Sequence, residues 1–465
     1  MLTLYLRKKV ELPTKFTQSL HGIVGFDEKS FLDIHQSGEQ ITSIRLNPYK
    51  TLPHSEIEIL KNAVGIPWCE NGFYLPQRPS FTLDPLLHAG CYYVQEPSSM
   101  FLEQIVKFVL PDHKQGAYKL LDLCAAPGGK STHLCALFPE SLLVVNEVNK
   151  LRASILIENL IKWGKENTVV TNNDSSDFNS LPGFFDLILV DAPCSGSGLF
   201  RKDEDAIEEW SVSNVEMCAK RQKKILQEIW PCIKEDGYLI YSTCSYSKEE
   251  DEEILDWILD KFQCCIVDIP VEKNWGIVIS ESDKHKAKGY RFFPDHLKGE
   301  GFFICCIKKT SPESFYKSKA KKFFVPDRNQ KTILEDWIQK SDELGFMLLK
   351  DQVHLVPEKW AFDIGLISQT LYLKKAGIYP GSFVAKNLIP DHELSMSNMV
   401  SSKIAKESLE LPSAINYLRK ETPELQFTTT GWALAQYKGM NLGWMKILSN
   451  RVNNYYPKEW RILKS

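Results

Sequence analysis

Between about residue 115 and residue 310 the chain alternates short apolar runs with helical patterns, and this alternation leaves few folds open to it. Segments 119–124, 142–148, 168–171, 185–190 and 237–242 read as strands. Segment 131–138 reads as a helix stopped by Pro139. Asn149 is placed to cap a helix that runs to Trp163 and closes at Gly164. Segment 206–230 carries a helical pattern ended by Pro231, and Ser247 is placed to cap an acidic helix over 248–262. Segment 301–309 predicts a late strand at the edge of the sheet. Strands that are apolar throughout, separated by helices, predict an α/β fold with a doubly wound parallel sheet.

Two cysteines follow two of these runs. Cys194 lies in Asp191-Ala192-Pro193-Cys194-Ser195-Gly196 and Cys244 in Ser242-Thr243-Cys244-Ser245. In an open α/β sheet the carboxyl ends of neighbouring strands face one crevice, so both thiols are expected there. A thiolate is a strong nucleophile, and a second thiol beside it can move protons. A cysteine inside an apolar strand is usually inert packing. These two stand after their strands among small polar residues.

The first run leads into Cys124-Ala125-Ala126-Pro127-Gly128-Gly129-Lys130-Ser131-Thr132. Gly-Lys-Ser-Thr matches the end of a phosphate-binding loop, but Cys124 stands where that motif needs glycine, and Pro127 removes a backbone N–H. A better fit is a small cofactor carrying a carboxylate and an amine. A helix N-terminus takes the carboxylate, and Gly128 and Gly129 admit close approach. Glu147, ending the second run, is placed to accept two ribose hydroxyls. Asp174, after the third, is placed either to border an adenine or to cap a turn.

The chain has 465 residues, too many for one core, so about two to four domains are expected. Net charge is −3, so any nucleic-acid contact must come from local patches. Twelve cysteines include no Cys-x-x-Cys pair, which argues against zinc, and no metal is expected. The start shows no secretory pattern and no run approaches a membrane span, so a cytoplasmic protein without membrane contact is expected.

Cys124 to Lys130, Asp191 to Gly196 and Ser242 to Ser245, in this order on these strands, resemble the Sun-type family of RNA cytosine-5 methyltransferases. The segment His88-Ala89-Gly90-Cys91-Tyr92-Tyr93-Val94-Gln95-Glu96-Pro97-Ser98-Ser99-Met100 is similar to the entry motif of its RsmF (YebU-type) branch, which modifies 16S rRNA in bacteria. Arg291-Phe292-Phe293-Pro294 and Gly299-Glu300-Gly301-Phe302-Phe303 resemble the branch's late-strand motif. Gly431-Trp432, Leu442-Gly443-Trp444-Met445-Lys446 and Asn454-Tyr455-Tyr456-Pro457-Lys458-Glu459-Trp460-Arg461 are similar to its PUA-like tail. The stretch after Pro380 departs from the branch pattern, and Ser197 stands where the branch often has an acid.

The resemblance implies a Rossmann-like class I methyltransferase sheet with an N-terminal α+β extension and a C-terminal PUA-like domain. Its divisions would be an RNA-binding extension (1–110), the S-adenosylmethionine-dependent catalytic domain (111–310), a basic linker (311–331), a first C-terminal domain (332–395) and a PUA-like RNA-binding domain (396–465). It implies 5-methylcytosine formation in small-subunit ribosomal RNA. Cys244 would be the nucleophile at carbon 6 and Cys194 would serve release. Asp191 would hold the base edge, and Lys130 would act at that edge or lower a thiol pKa. Cys124, Ala125, Ala126, Pro127, Gly128, Gly129, Lys130, Glu147, Arg152, Asp174 and Asp191 would surround S-adenosylmethionine. RNA contacts would come from Arg45, Asn47, Lys446, Tyr455 and Lys458. The partner would be ribosomal RNA or the small subunit, and the protein a monomer. A tRNA substrate is the alternative within this class, and a non-catalytic ribosome-assembly factor the alternative outside it.

Overall fold

A computed structural model describes residues 11–312, 328–339, 341–385, 387–422 and 430–463. Most of the segment expected to be a basic linker, 311–331, lies outside them. The described N-terminal part starts with helices Thr14–Ser19 and Glu28–Gln36. A small antiparallel sheet follows: β1 (Ser43–Leu46), β2 (Val64–Gly65), β3 (Gly72–Tyr74) and β4 (Tyr92–Val94), in the order β2-β3-β1-β4.

The central strands are β5 (Lys119–Asp122), β6 (Leu142–Asn146), β7 (Thr168–Thr171), β8 (Phe185–Asp191), β9 (Ile233–Thr243), β10 (Cys264–Ile266), β11 (Val278–Glu281), β12 (Lys288–Phe292) and β13 (Phe302–Lys309). The hairpin β14 (Leu344–Leu349) and β15 (Gln352–Pro357) then leads through helix Ala361–Thr370 into β16 (Leu373–Ala376). The large sheet runs β11-β12-β13-β9-β8-β5-β6-β7-β16, with β10 beside β13. Strands β5 to β9 pair in parallel, and the flanking pairs are antiparallel.

Neighbouring residues of one strand enter opposite cores. Leu121, Val144, Ile188 and Leu239 pack on one face with helix residues Leu226, Ile254 and Ile258. Leu120, Leu143, Leu187 and Ile240 pack on the other with Val106, Leu134 and Leu156. Side chains that alternate across a strand, each meeting apolar helices, account for the uninterrupted apolar runs.

Four expectations need correction. Strand β13 is internal, between β9 and β12, because two further antiparallel strands continue the sheet past it. The sheet is therefore mixed. The helical pattern over 206–230 is two helices, Glu204–Glu209 and Val212–Ile229, because the Ser211 hydroxyl caps the second by accepting from Asn214 N. Ser247 makes no cap; its hydroxyl is buried without a partner, and the turn is held by Glu250 and Asp251 reaching back toward the sheet. The region after 332 is not separate, since β16 pairs with β7 and extends the central sheet.

Beyond β16 come the hairpin β17 (Gly381–Val384) and β18 (Asn387–Pro390), then β19 (Ala405–Ser408), β20 (Gly431–Tyr437), β21 (Met440–Ile447) and β22 (Val452–Asn454). The last four form one sheet in chain order. Its core residues Leu442, Met445 and Tyr456 share a cluster with Ile44, Leu46 and Tyr92 of the N-terminal sheet. Among the described residues no helix is long and apolar enough to cross a membrane.

Candidate active site

The parallel register of β8 and β9 sets Asp191 opposite Ser242. The loops that leave these strands therefore start side by side, and they bring Cys194 Sγ to 3.0 Å from Cys244 Sγ. All twelve cysteines are free thiols. The hydrogen bond with Cys244, then burial, then the negative charge that Cys244 and Glu250 bring near it, push the Cys194 thiol well up.

Glu250 holds both loops. One carboxylate oxygen accepts from Ser195 N at 2.9 Å and from Gln222 Nε2 at 2.9 Å. The other accepts from Ser245 Oγ at 2.7 Å and from Ser195 Oγ. Gln222 Nε2 also reaches Pro193 O. One fully buried carboxylate so gathers the residue after each cysteine, and burial raises its pKa against these donors. Its neighbours in sequence are acidic, so nothing in the residue pattern marks it as buried.

Beside the thiols, Lys130 Nζ lies 2.8 Å from Asp191 Oδ2, and Asp191 Oδ1 accepts from Ser242 Oγ at 2.7 Å. Burial works against the Lys130 ammonium, but Asp191, Cys244 and Asp122 together hold its pKa above the usual value. A cation is therefore fixed beside the Cys244 sulfur.

The loop between β5 and helix Gly129–Leu137 lies at the same rim. Gly128 takes φ 114°, a conformation open to glycine, and the helix starts at the next residue. Arg152 Nη2 donates to Ala126 O at 2.6 Å, Asn159 Nδ2 to Pro127 O at 2.8 Å, and Ala125 N to Asn146 O at 2.8 Å. These bonds hold the backbone of Ala125, Ala126 and Pro127 in place. Cys124 is held as a thiol by burial. Glu147 is buried at the end of β6, with Asn149 N on one oxygen and Arg152 at 3.7 Å from the other. Asp174 caps the turn Ser175–Ser180 and exchanges a reciprocal bond pair with Asp177, so the turn-cap alternative is met.

Asp122, at the end of β5, was not singled out from sequence. Ser131 Oγ donates to its Oδ2 at 2.7 Å, while Oδ1 is buried with no partner. Burial pushes its pKa up to about 7, with Asp191 and Glu147 acting in the same sense. The signal available was the acid that closes an apolar run before a glycine loop. An unpaired carboxylate oxygen, a glycine cradle and a helix N-terminus fit a ligand that carries both an ammonium and a carboxylate. The raised pKa has a consequence for stability. Without ligand, the folded chain binds a proton at Asp122 that the unfolded chain releases near pH 4, so this contribution is lost as pH rises from about 4 to 7. Urea titrations across that range should show Asp122→Asn removing up to about 1.4 kcal/mol per pH unit of decline. An unchanged slope would refute the assignment.

Arg45 and Asn47 are not surface residues. Arg45 is 1% exposed; it donates to Gln95 Oε1 at 2.8 Å, Thr132 Oγ1 at 2.7 Å and Gly129 O at 3.1 Å. Its guanidinium lies over the Trp163 ring. Asn47, equally buried, donates to Gly90 O and Trp163 O. Both join the N-terminal sheet to the helices behind the glycine loop, and neither can reach RNA. Lys446, Tyr455 and Lys458 are far less buried, with Lys446 over the Trp432 ring, whereas Trp444 and Tyr456 are core. Cys69, Glu103 and His133 place possible metal-ligand atoms within 4.8 Å of one another, but Glu103 already pairs with His133 at 3.1 Å and Lys107 at 2.6 Å.

Comparison with known proteins adds three family matches. Residues 109–308 match 16S rRNA methyltransferase RsmB/F, residues 12–97 the N-terminal domain of 16S rRNA methyltransferase RsmF, and residues 406–462 the methyltransferase RsmF PUA domain. Ribosomal RNA small subunit methyltransferase F of Aliivibrio fischeri (strain MJ11) is 30% identical over 440 residues, covering 90% of each chain. Its counterpart in Shewanella loihica is 29% identical over 447 residues, covering 90% of this chain and 88% of that one. Among solved structures, a methyltransferase homolog protein from Pyrococcus horikoshii aligns with TM-score 0.54 and 26% identity, over 64% of this chain and 96% of its own. NSun6 from the same organism, solved with SFG, aligns with TM-score 0.54 at 18% identity over 65% of this chain and all of its own, a likeness of fold.

Proposed function

Since the chain belongs to the family of ribosomal RNA small subunit methyltransferase F, we propose that it forms 5-methylcytosine in 16S rRNA from S-adenosylmethionine, through a covalent bond between Cys244 and the base. The observation that carries this reading is the pair of thiols at 3.0 Å beside the Lys130–Asp191 ion pair.

The family consists of RNA methyltransferases, and the chemistry at cytosine explains why two thiols are wanted. Carbon 5 of cytosine is too weak a nucleophile for methylation. The Cys244 thiolate adds to carbon 6, and the π pair moves to carbon 5. Asp191 faces the base edge, and its ion pair with Lys130 orients it there. S-adenosylmethionine supplies the methyl group that the electron pair at carbon 5 takes. Carbon 5 then carries both a methyl and a proton. Cys194 removes that proton, the electron pair returns to the ring, and the carbon 6–sulfur bond breaks to free Cys244.

The order follows from charge. While Cys244 is a thiolate, it holds the Cys194 proton in place. Once its sulfur is bound to carbon, that hydrogen bond and that negative charge are gone, so the Cys194 thiol gives up its proton to solvent more readily and stands as the thiolate that takes the carbon-5 proton. Glu147 would receive the ribose hydroxyls. Asp122 would face the ammonium, and the Gly129–Leu137 helix N-terminus the carboxylate. The target must be extruded or unpaired to reach the crevice.

Bisulfite mapping of total RNA, with and without the gene, tests the product. Loss of a protected cytosine in 16S rRNA alone is expected. A site lost only from tRNA would favour the alternative substrate, and no lost site would leave a non-catalytic assembly role.

A further inference from the structure

Tyr372 precedes β16 and stands just past the carboxyl end of β7, on the rim that carries Glu147, Asp191 and both thiols. Its backbone is fixed there: Tyr372 N donates to Asn173 Oδ1 at 3.0 Å, and Tyr372 O accepts from Asn173 Nδ2 and Asn172 N, each at 3.1 Å. The residue is 49% exposed. Lys350 Nζ donates to its hydroxyl at 3.0 Å and lies 4.9 Å from its ring centroid, with Lys374 Nζ at 5.3 Å. Lys150, exposed at the start of helix Lys150–Trp163, adds a third positive charge to the same field. Among the described residues no carboxylate comes within 4.0 Å of these three lysines. Next to them Val148 and Leu151 leave apolar side chains 64% and 81% exposed.

The hairpin that presents Lys350 is built around an uncommon conformation. Lys350 and Asp351, its two tip residues, take φ 51° and 63°, the left-handed pair that a tight two-residue β-hairpin turn requires. Glycine or asparagine suits such a position better than lysine. A lysine kept in that conformation, aimed at an exposed tyrosine with no acid to pair with, suits a ligand that is anionic and has flat faces.

We infer that Tyr372, Lys350 and Lys374, with Lys150 beside them, form a clamp for the single-stranded RNA that flanks the target cytosine. Tyr372 offers a stacking face to one base, and the lysines take the neighbouring phosphates. From β8 to β16 there are four inter-strand steps of about 4.8 Å, roughly 19 Å in all, a span that a few nucleotides cross. The segment between the catalytic sheet and the C-terminal sheet thereby does two things at once. It adds a strand to the first sheet, and it carries an RNA contact to that sheet's rim. This inference rests on the RNA-methyltransferase reading above.

The test uses the full chain and a fluorescein-labelled single-stranded oligoribonucleotide with one cytosine, with binding followed by anisotropy over a series of salt concentrations. Tyr372→Ala is expected to weaken binding about tenfold. Lys350→Ala/Lys374→Ala is expected to lower the slope of log affinity against log salt by about 1.4. Lys350→Gly, which suits the turn, should lose about half of that slope while the S-adenosylmethionine-induced thermal shift stays at the wild-type value. Wild-type affinity and slope in all three variants would overturn the clamp. If the wild-type chain binds this RNA but the bisulfite mapping finds no cytosine in 16S rRNA that depends on it, the functional reading fails while the clamp is still measured by its own variants.

Discussion

Cys194→Ala is expected to accumulate a protein–RNA species that survives a denaturing gel, and Cys244→Ala to give none. The two variants should lose turnover alike, by a factor on the order of 10^4 or more, as happens when a covalent nucleophile is removed. They differ in where the reaction stops. Without Cys194, Cys244 still adds to carbon 6 and methyl transfer still follows, but the thiol that stood 3.0 Å from the Cys244 sulfur is no longer there to take the carbon-5 proton. The bond to the enzyme therefore persists. Without Cys244, no bond forms. The assignment follows the resemblance of the Ser242 to Ser245 motif, and the direction of the Cys194 shift agrees with it: the hydrogen bond to Cys244, burial and the negative charge nearby push that thiol up. Lys130 stands close enough for Cys244 to act on its charge. The reverse pattern, with the adduct in Cys244→Ala, would overturn it and make Cys194, the cysteine of the Pro-Cys sequence, the attacking group.

The second large effect concerns stability. Arg291, on β12, is buried with Asp251 and Glu252. Its Nε donates to Glu252 Oε1 at 2.6 Å, its Nη2 to Glu252 Oε2, and its Nη1 to Tyr246 O at 2.9 Å; Asp251 Oδ2 lies 3.1 Å from Nη2. Thr243 Oγ1 completes the group by donating to Asp251 Oδ1 at 2.7 Å. Arg291→Met removes one cation and leaves two buried carboxylates facing each other. The cost should be about 3–5 kcal/mol, seen as a fall in Tm of roughly 10 °C. Burial already raises the Asp251 pKa, and without Arg291 that of Glu252 rises too. Both then protonate in the folded state, so the deficit should shrink as pH falls toward about 5. Arg291→Lys should recover only part, because an ammonium cannot make the bidentate contact. The double variant Arg291→Met/Glu252→Gln should be more stable than Arg291→Met alone. A change in Tm below about 2 °C for Arg291→Met, as expected of a surface pair, would refute this account.

The two predictions act on one segment. Residues 243–252 carry the nucleophile, the carboxylate that ties the two cysteine loops and the acids that pair with Arg291. Read as sequence, Lys248-Glu249-Glu250-Asp251-Glu252-Glu253 is a run of charge suited to a solvated helix face. In the fold, Glu250, Asp251 and Glu252 are buried, and only tertiary contacts explain it. Glu250 meets Ser195, and Glu252 meets Arg291 across 39 residues. The hydrophobic pattern could not reveal these partners, since it records which face of an element is apolar and says nothing of a buried polar network.

The same holds at Arg45 and Asn47. A basic and an amide residue in and after a short strand read as surface contacts for RNA. Both are buried, with partners such as Thr132 and Trp163 that lie 87 and 116 residues away. Arg45 supports the glycine loop from behind, and its pKa falls to about 10 because burial disfavours the cation.

Local order was legible from the sequence because its causes are local. Strand β7 has the bounds that its apolar run predicts, Asn149 caps its helix and Gly164 closes it in the left-handed conformation. The motifs at Cys124–Lys130, Cys194 and Cys244 stand after their strands for the same reason: a run of apolar residues ends where polar turn residues begin. What only the tertiary structure decided is the meeting of distant segments. β16 closes one edge of the sheet from far along the chain, Glu250 joins the two cysteine loops, and Arg45 is buried behind the cofactor loop. Each depends on side chains that become neighbours only after the chain has collapsed. Hydrogen bonds and ion pairs satisfied at such distances leave no period in the sequence, because their geometry is set by how the layers pack.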